Sequence, residues 1–121
     1  MKKILIADDE KGVRYVIRCA MQKEGYEVIE ADNGYEAINL IREELPDLVI
    51  LDIRMPEMSG LEVTRIMREE DSMKNIPIFI STGEDGARQE FNGLNIECFV
   101  PKPYEVDILI DKLIKFFEDT K

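Results

Sequence analysis

The residues of this chain best suited to chemistry follow directly after short apolar segments. They are Asp8 and Asp9 after KILIA, Asp52 after LVIL, Thr82 after IFIS, and Lys102 after FVP. Taken singly, each has an ordinary structural explanation, because strand-end aspartates often cap helices, threonines often close turns, and a lysine between prolines is a solvated loop charge. Together they bring three carboxylates, a hydroxyl and an ammonium group to four segment ends, and this combination needs a common explanation.

The three aspartates need a compensating charge or a proton. On neighbouring strand ends, Asp8, Asp9 and Asp52 would repel one another by about 4 kcal/mol per pair at roughly 4 Å and an effective dielectric of about 20. Either one carboxyl group has a raised pKa, or a divalent cation lies among them. A set of oxygen ligands selects a hard ion such as Mg²⁺.

The elements that position these residues alternate between short β-branched segments and helical patterns. Strands are predicted over residues 3–7, 27–31, 48–51, 78–81 and 97–100. Helices are predicted over residues 11–24, over residues 34–45, after a Ser59 N-cap, and from about residue 105 to 118. The segment after Thr82 contains three glycines and only two apolar anchors, which predicts a short or mobile helix there.

Five strands alternating with five helices predict one α/β domain over residues 1–121, a doubly wound (βα)₅ fold with a parallel five-stranded sheet. In such sheets a ligand binds beyond the carboxyl ends of the strands, at the point where the strand order switches. All the polar residues named above follow strand ends. They are therefore expected to converge on one edge of the sheet.

Composition restricts the function further. The chain has 121 residues, 45% of them apolar and 35% charged, as expected for one globular domain with its own core. Its net charge of −10 opposes non-specific binding to nucleic acid and to an anionic membrane. No apolar segment is long enough for a membrane span or a signal peptide, so a cytoplasmic location is expected. The chain has no histidine, which excludes a Ser/His/Asp triad, an HExxH zinc site and a phosphohistidine on this chain itself.

Four motifs resemble those of the receiver domain of two-component response regulators. They are the Asp8-Asp9 pair after KILIA, LVILDIRMPEMSG with Asp52, IPIFISTG with Thr82, and FVPKP with Lys102. The resemblance runs from about Lys3 to Glu118, with the motifs in the family's order. It implies a flavodoxin-like fold of strand order 2-1-3-4-5, and a protein that is not an enzyme except in its own phosphoryl transfer and dephosphorylation.

The resemblance also implies roles for the acidic residues. Asp52 would be the nucleophile that accepts a phosphoryl group from a phosphohistidine on a sensor histidine kinase or a phosphotransfer protein. Asp9 and Asp52 would bind Mg²⁺ directly together with the backbone carbonyl of Arg54, and Asp8 would hold it mainly through water. Mn²⁺ would be able to substitute.

The remaining family positions imply a switch. Lys102 would pair with Asp52 at rest and with a phosphoryl oxygen afterwards, and Thr82 would bind another phosphoryl oxygen. In the family this movement is coupled to an aromatic residue on the fifth strand, here Phe99, and changes the face formed by the fourth helix, the fifth strand and the fifth helix. Phe99 lacks the hydroxyl of the tyrosine often found there. Arg54 and Glu84 are predicted to tune the lifetime of the phosphoaspartate.

The sequence departs from the family pattern around the fourth helix. Thr82 and Lys102 are 102 − 82 = 20 positions apart, slightly fewer than in many receivers, and Leu94-Asn95 replaces the small pair common before the fifth strand. Dimer geometry and partner choice are therefore not carried over from other members. A homodimer that forms on phosphorylation stays open, and the downstream protein target is unknown.

Two alternatives to a phosphorylation-switched module are open. An enzyme of the same architecture is disfavoured because DIRMP lacks the DxDx(T/V) signature of haloacid-dehalogenase-type phosphatases, and because ADDEKG replaces the phosphate loop of a flavodoxin. A receiver-fold scaffold, or a phosphorelay intermediate without its own output, is the second alternative. The end of the chain just after the fifth helix fits a stand-alone receiver or one excised from a longer regulator.

Overall fold

Five parallel strands form a single sheet in the computed structural model, which describes residues 1–83 and 85–119, with only the backbone described at 85–87. The strands are β1 (Lys3–Ala7), β2 (Glu27–Ala31), β3 (Leu48–Asp52), β4 (Ile78–Thr82) and β5 (Cys98–Pro101). Their order across the sheet is β2-β1-β3-β4-β5. This confirms the predicted fold class and strand order.

Within the described part of the chain, four α-helices and one 3-10 helix connect and cover the strands. They are α1 (Lys11–Lys23), α2 (Gly34–Glu44), α3 (Gly60–Glu69) and α4 (Val106–Asp119), with the 3-10 helix at Asp85–Phe91 between β4 and β5. The segment predicted as a weak fourth helix is thus helical but short and tightly wound. Gly86 within it weakens an α-helix, and its last residue, Phe91, packs into the core.

The sheet has one apolar layer on each face. Because side chains alternate along a strand, Leu5 and Leu51 face α2 and α3, whereas Ile4 and Ile50 face α1 and α4. All five residues of β3 are buried, which explains why LVIL is a continuous apolar segment rather than an alternating one. No helix in residues 1–83 and 85–119 is long and apolar enough to cross a membrane.

Helix starts are fixed by the residues that precede them. The Ser59 hydroxyl accepts a hydrogen bond from the backbone N–H of Glu62 at 3.2 Å, which confirms the predicted cap of α3. The Asn33 side chain caps α2 in the same way, through the N–H of Glu36 at 2.8 Å. These caps set where the helices leave the carboxyl edge of the sheet.

Three strands differ from the prediction, at four strand ends and by one residue each. β3 includes Asp52 and β4 includes Thr82, because Asp52 pairs with Ser81 and Thr82 pairs with Pro101 in the parallel ladder. β5 begins one residue late, at Cys98, and ends one residue late, at Pro101. Asp52 and Thr82 are therefore the last residues of their strands and are held by the sheet itself.

Candidate functional site

Lys102 joins two buried aspartates at the carboxyl edge of the sheet. Its Nζ lies 2.8 Å from Oδ2 of Asp52 and 3.0 Å from Oδ2 of Asp8. Asp8 is fully buried and Asp52 is 6% exposed. Lys102 follows β5, donates its backbone N–H to the carbonyl of Thr82 at 3.1 Å, and has a cis peptide bond to Pro103.

The strand order explains this meeting. β1 and β3 are neighbours although β2 lies between them in sequence, so the chain switches its winding direction between these two strands. Asp8 follows β1 and Asp52 ends β3, which places both carboxylates at the switch point where open α/β sheets bind ligands. The topology therefore brings Asp8 and Asp52 together at the carboxyl edge of the sheet, as predicted.

Burial and charge act in opposite directions on the two ends of the ion pair. Burial raises the pKa of Asp52, the hydrogen bond and charge of Lys102 lower it, and the neighbouring Asp8 charge raises it again, so the pKa ends above its usual value. Burial lowers the pKa of Lys102, but its interactions with Asp52 and Asp8 outweigh burial and raise it above its usual value. Lys102 is thus a firmly charged ammonium group facing a carboxylate that is costly to keep ionised.

A cluster of three acidic residues extends this site toward solvent. Carboxylate oxygens of Asp8, Asp9 and Glu10 lie within 4.8 Å of one another, Asp8 buried and the other two exposed. The backbone N–H of Glu10 donates to Oδ1 of Asp8 at 2.9 Å, which leaves Oδ2 for Lys102. Glu10 is not among the predicted site residues, although the acidic run DDE is visible in the sequence.

The site opens into a cleft that contains most of the predicted residues. Its lining combines acidic side chains with the Lys102 ammonium, and consists of Asp9, Glu10, Asp52, Ile53, Arg54, Thr82, Gly83 and Lys102. The Arg54 side chain is exposed, and its backbone N–H lies 3.4 Å from Oδ1 of Asp52. Thr82 is half-buried at the end of β4. Glu84 lies outside the described residues, so its predicted role stays a prediction.

Phe99 lies apart from the cleft, on β5. Its ring meets that of Phe91 edge to face, with 5.8 Å between centroids, and the guanidinium of Arg88 lies 5.0 Å above it. Phe99 is half-buried against the core. It thus connects β5 to the 3-10 helix.

Arg14, which is not among the predicted site residues, fixes the loop that carries the acidic pair. Its guanidinium donates to the backbone carbonyl of Asp8 and, from Nε, to Oε1 of Glu30 at 3.2 Å. Glu30 also accepts from Arg18 at 2.6 Å. The sequence does carry a signal for this role, because Arg14 stands on the apolar side of α1 between Val13 and Ile17. In the structure Arg14 is only 8% exposed.

A glycine lets α3 start directly beside the nucleophile candidate. A Cβ at Gly60 would overlap the backbone carbonyl oxygen of Asp52, and the N–H of Gly60 donates to the carbonyl of Ile53 at 2.9 Å. Any larger residue would push the loop after β3 outward. This is the physical need for glycine in the MPEMSG segment.

The family model for the response regulator receiver domain matches residues 4–114, and the chain belongs to this family. Sporulation initiation phosphotransferase F of Bacillus subtilis is 35% identical over 115 residues, which cover 95% of this chain and 93% of that protein. The polar-differentiation response regulator DivK of Brucella anthropi is 32% identical over 120 residues, 98% of each. Among solved structures, the chemotaxis response regulator CheY4 of Vibrio cholerae superposes with a TM-score of 0.88 at 30% identity, covering 95% of this chain and 98% of that one.

These likenesses confirm the predicted family and its class of function, a receiver of two-component and phosphorelay systems. Receiver domains take phosphate from histidine kinases or phosphotransfer proteins and generally bind Mg²⁺. The acidic cluster at Asp8, Asp9 and Glu10 is the matching feature here. The roles of individual residues follow as proposals.

Proposed function

We propose that this receiver accepts a phosphoryl group on Asp52 from a phosphohistidine of a sensor histidine kinase or phosphotransfer protein. The observation that carries the proposal is the pairing of Asp52 and buried Asp8 by one ammonium group at the mouth of an acidic cleft. In the transfer, a carboxylate oxygen of Asp52 forms a bond to phosphorus while the bond from phosphorus to the donor nitrogen breaks. The electron pair of that bond stays on the imidazole, which takes up a proton.

The donor set fits a hard divalent cation. Oδ2 of Asp8 is fully buried and accepts no hydrogen bond from the residues that the structure describes, although Lys102 faces it at 3.0 Å as an ion pair. Asp8, Asp9, Asp52 and the carbonyl of Arg54 would hold Mg²⁺, or Mn²⁺ in its place, and Glu10 lies close enough to join through water. When bound, Mg²⁺ neutralises the charge that develops on the phosphoryl oxygens.

Lys102 acts before and after the transfer. At rest it offsets the repulsion between the charges of Asp8 and Asp52 and lowers the pKa of Asp52 against the effect of burial, which favours the nucleophilic carboxylate. After transfer the same ammonium pairs with a phosphoryl oxygen, since a flexible point charge can follow the displaced negative charge. Thr82 offers its hydroxyl to another phosphoryl oxygen from the end of the adjacent strand.

The output is a change in protein binding rather than turnover of an external substrate, so the chain is not an enzyme beyond its own phosphorylation and dephosphorylation. Inward movement of Thr82 frees space beside Phe99, which contacts Arg88 and Phe91 on the neighbouring 3-10 helix. That change alters the face made by the 3-10 helix, β5 and α4. Arg54 at the cleft, with Glu84, sets how fast water removes the phosphoryl group.

The partner is a protein. The net charge of −10 disfavours direct contact with nucleic acid or an anionic membrane, and favours a basic or apolar protein surface. The likeness to a sporulation phosphotransferase and to regulators of polar differentiation and chemotaxis supports either onward relay of phosphate or docking on a target. We place the domain in the cytoplasm, where ATP-dependent kinases form phosphohistidine.

Incubation with acetyl phosphate and Mg²⁺, followed by intact-mass measurement, tests the proposal. The wild-type chain should gain one phosphoryl group, and Asp52→Asn should gain none. Asp71→Asn is the matched control, because Asp71 follows α3 and its side chain is 97% exposed. Equal uptake by Asp52→Asn and the control would overturn the proposal.

A further inference from the structure

A buried hydroxyl pair lies beside the site and is not explained by the function proposed above. Ser81 is fully buried in β4, with its Cα paired to that of Asp52 on one side and of Val100 on the other. A hydroxyl inside a sheet needs a hydrogen-bond partner, and here the hydroxyl of Tyr104 donates to Oγ of Ser81. Among the bonds of the described residues, these two hydroxyls are thus satisfied only by each other.

The Tyr104 ring also contacts the functional lysine. Nζ of Lys102 lies 5.7 Å from the ring centroid, within the range of a cation–π interaction. Lys102 carries its ammonium on a flexible four-carbon stem, so the position of the charge depends on what surrounds it. Its surroundings are the carboxylates of Asp8 and Asp52 and this ring.

The hydroxyl of Tyr104 decides where the ring lies. Tyr104 follows Pro103 in the loop before α4, and its ring also borders an apolar groove lined by Val13, Ile17 and Val106. Without the bond to Ser81, the ring would be able to change its orientation in this groove, and with it its distance from Lys102, which also lines the groove. The hydroxyl ties it instead to β4, the strand adjacent to Asp52.

We infer that Tyr104, anchored through its hydroxyl on Ser81, is a positioning residue that fixes the Lys102 ammonium for phosphoryl transfer to Asp52. The inference rests on the proposed function of Asp52 and deepens it. Ser81 has no contact with the phosphoryl group in this account and acts only through Tyr104. Small displacements of a catalytic charge lower rates strongly, by up to about 100-fold for 1 Å.

The test compares Tyr104→Phe, Ser81→Ala and the double variant with the wild type. Initial rates of phosphoryl uptake are measured over a range of acetyl phosphate concentrations at saturating Mg²⁺, and are normalised to the folded fraction from circular dichroism. Tyr26→Phe is the matched control, because Tyr26 precedes β2 at the opposite edge of the sheet and packs on Phe117.

Each single variant should lower the maximal rate by about fivefold and leave the half-saturating donor concentration within about twofold. The double variant should be no slower than either single one, because both changes break one bond. Tyr26→Phe should match the wild type. Maximal rates within about twofold of the wild type, or losses that multiply in the double variant, would overturn the inference.

Failure of the underlying function gives a different result. If the wild type takes up no phosphate, or if Asp52→Asn takes it up equally well, the proposed function fails and the role of Tyr104 fails with it. If uptake depends on Asp52 but is unchanged in Tyr104→Phe, only the positioning role of Tyr104 is wrong.

Discussion

Lys102 and Arg68 are two partly buried cations whose partners differ in kind. Lys102 faces two carboxylates, which raise its pKa against the effect of burial. Arg68 on α3 donates to four backbone carbonyls, those of Leu94 at 2.7 Å, Lys74 at 3.0 Å, Ile76 at 2.8 Å and Asn95 at 2.9 Å. Burial lowers the pKa of Arg68, and the charge of Glu97 offsets this only in part.

This difference separates a cation that exchanges partners from one that does not. Carbonyls carry no net charge and belong to the backbone, so Arg68 ties the loop before β4 to the segment before β5 in one arrangement. Carboxylates can instead be protonated, phosphorylated or bound by a metal, so the partners of Lys102 can change while its charge stays. Arg68 supports the fold, and in the proposed function Lys102 serves the switch.

The largest expected effect is that of Lys102→Met on phosphoryl uptake. Removing the ammonium leaves the developing phosphoryl charge without its preorganised cation, which should lower the maximal rate by about 100-fold. Initial rates with acetyl phosphate and Mg²⁺ measure it. Lys74→Met is the control, since Lys74 pairs only with exposed Asp71 among its described ion pairs. A rate within a few-fold of the control would mean that Lys102, like Arg68, has only a structural role.

Arg68→Ala should act on stability instead. Four carbonyls lose a charged donor, and the free energy of unfolding should fall by about 3 kcal/mol, since hydrogen bonds to charged groups contribute about 1.5–3 kcal/mol each and water replaces the outer ones. Urea denaturation measures it. Arg68→Lys should recover less than half, because an ammonium cannot reach four carbonyls at once. Phosphoryl uptake per folded molecule should stay near the wild-type rate. A loss of uptake beyond the loss of folded protein would contradict a purely structural role for Arg68.

A smaller effect concerns the pH dependence of stability. The pKa of Asp52 is raised above 3.8 in the folded chain, mainly by burial. The folded state therefore binds this proton more tightly than the unfolded state, and the resulting stability is present below 3.8 and lost as pH rises through the folded pKa. Asp52→Asn should accordingly raise the free energy of unfolding at neutral pH without Mg²⁺.

Nuclear magnetic resonance titration of the Asp52 carboxyl in metal-free protein checks whether its raised pKa causes this effect on stability. Asp8→Asn should lower its pKa, because the Asp8 charge raises it, and Lys102→Met should raise it. A pKa of Asp52 at or below 3.8 in the wild type would contradict this account of the site.

The smallest expected effect is that of Ser59→Ala. The Ser59 hydroxyl caps α3 through the N–H of Glu62 at 3.2 Å, and its loss should reduce the free energy of unfolding by about 1 kcal/mol. Phosphoryl uptake should not change, because Ser59 is not among the residues that line the cleft beside Asp52. Ser59→Asp, which also caps, should restore the stability seen in urea denaturation.

The elements that the sequence predicts well are those with a strong local pattern. LVIL identifies a strand buried on both faces, and the alternation of strands with helices leads to the parallel sheet at whose edge Asp8, Asp52 and Lys102 meet. The segment after Thr82 was harder because its glycines weaken any local preference. Its far end is held by Arg68 on α3, which donates to the backbone carbonyls of Leu94 and Asn95 although it is distant from them in sequence.

The contacts missed at the site are also non-local. Arg14 is set by Glu30 on the neighbouring strand and by a backbone carbonyl, and neither partner shows in the helical pattern of α1. Tyr104 and Ser81 are 23 positions apart and meet only because β4 and β5 are paired. Glu10 was visible as a charge, but whether it approaches Asp8 depends on the turn into α1.

Locating the phosphoryl group tests the central claim most directly. After reaction with a phosphohistidine donor and Mg²⁺, borohydride reduction converts an acyl phosphate of aspartate to homoserine, which peptide mass spectrometry assigns to a position. The account predicts homoserine at residue 52 and none at Asp8 or Asp9. Homoserine at either of those positions, or at no aspartate of a chain that has taken up phosphate, would contradict it.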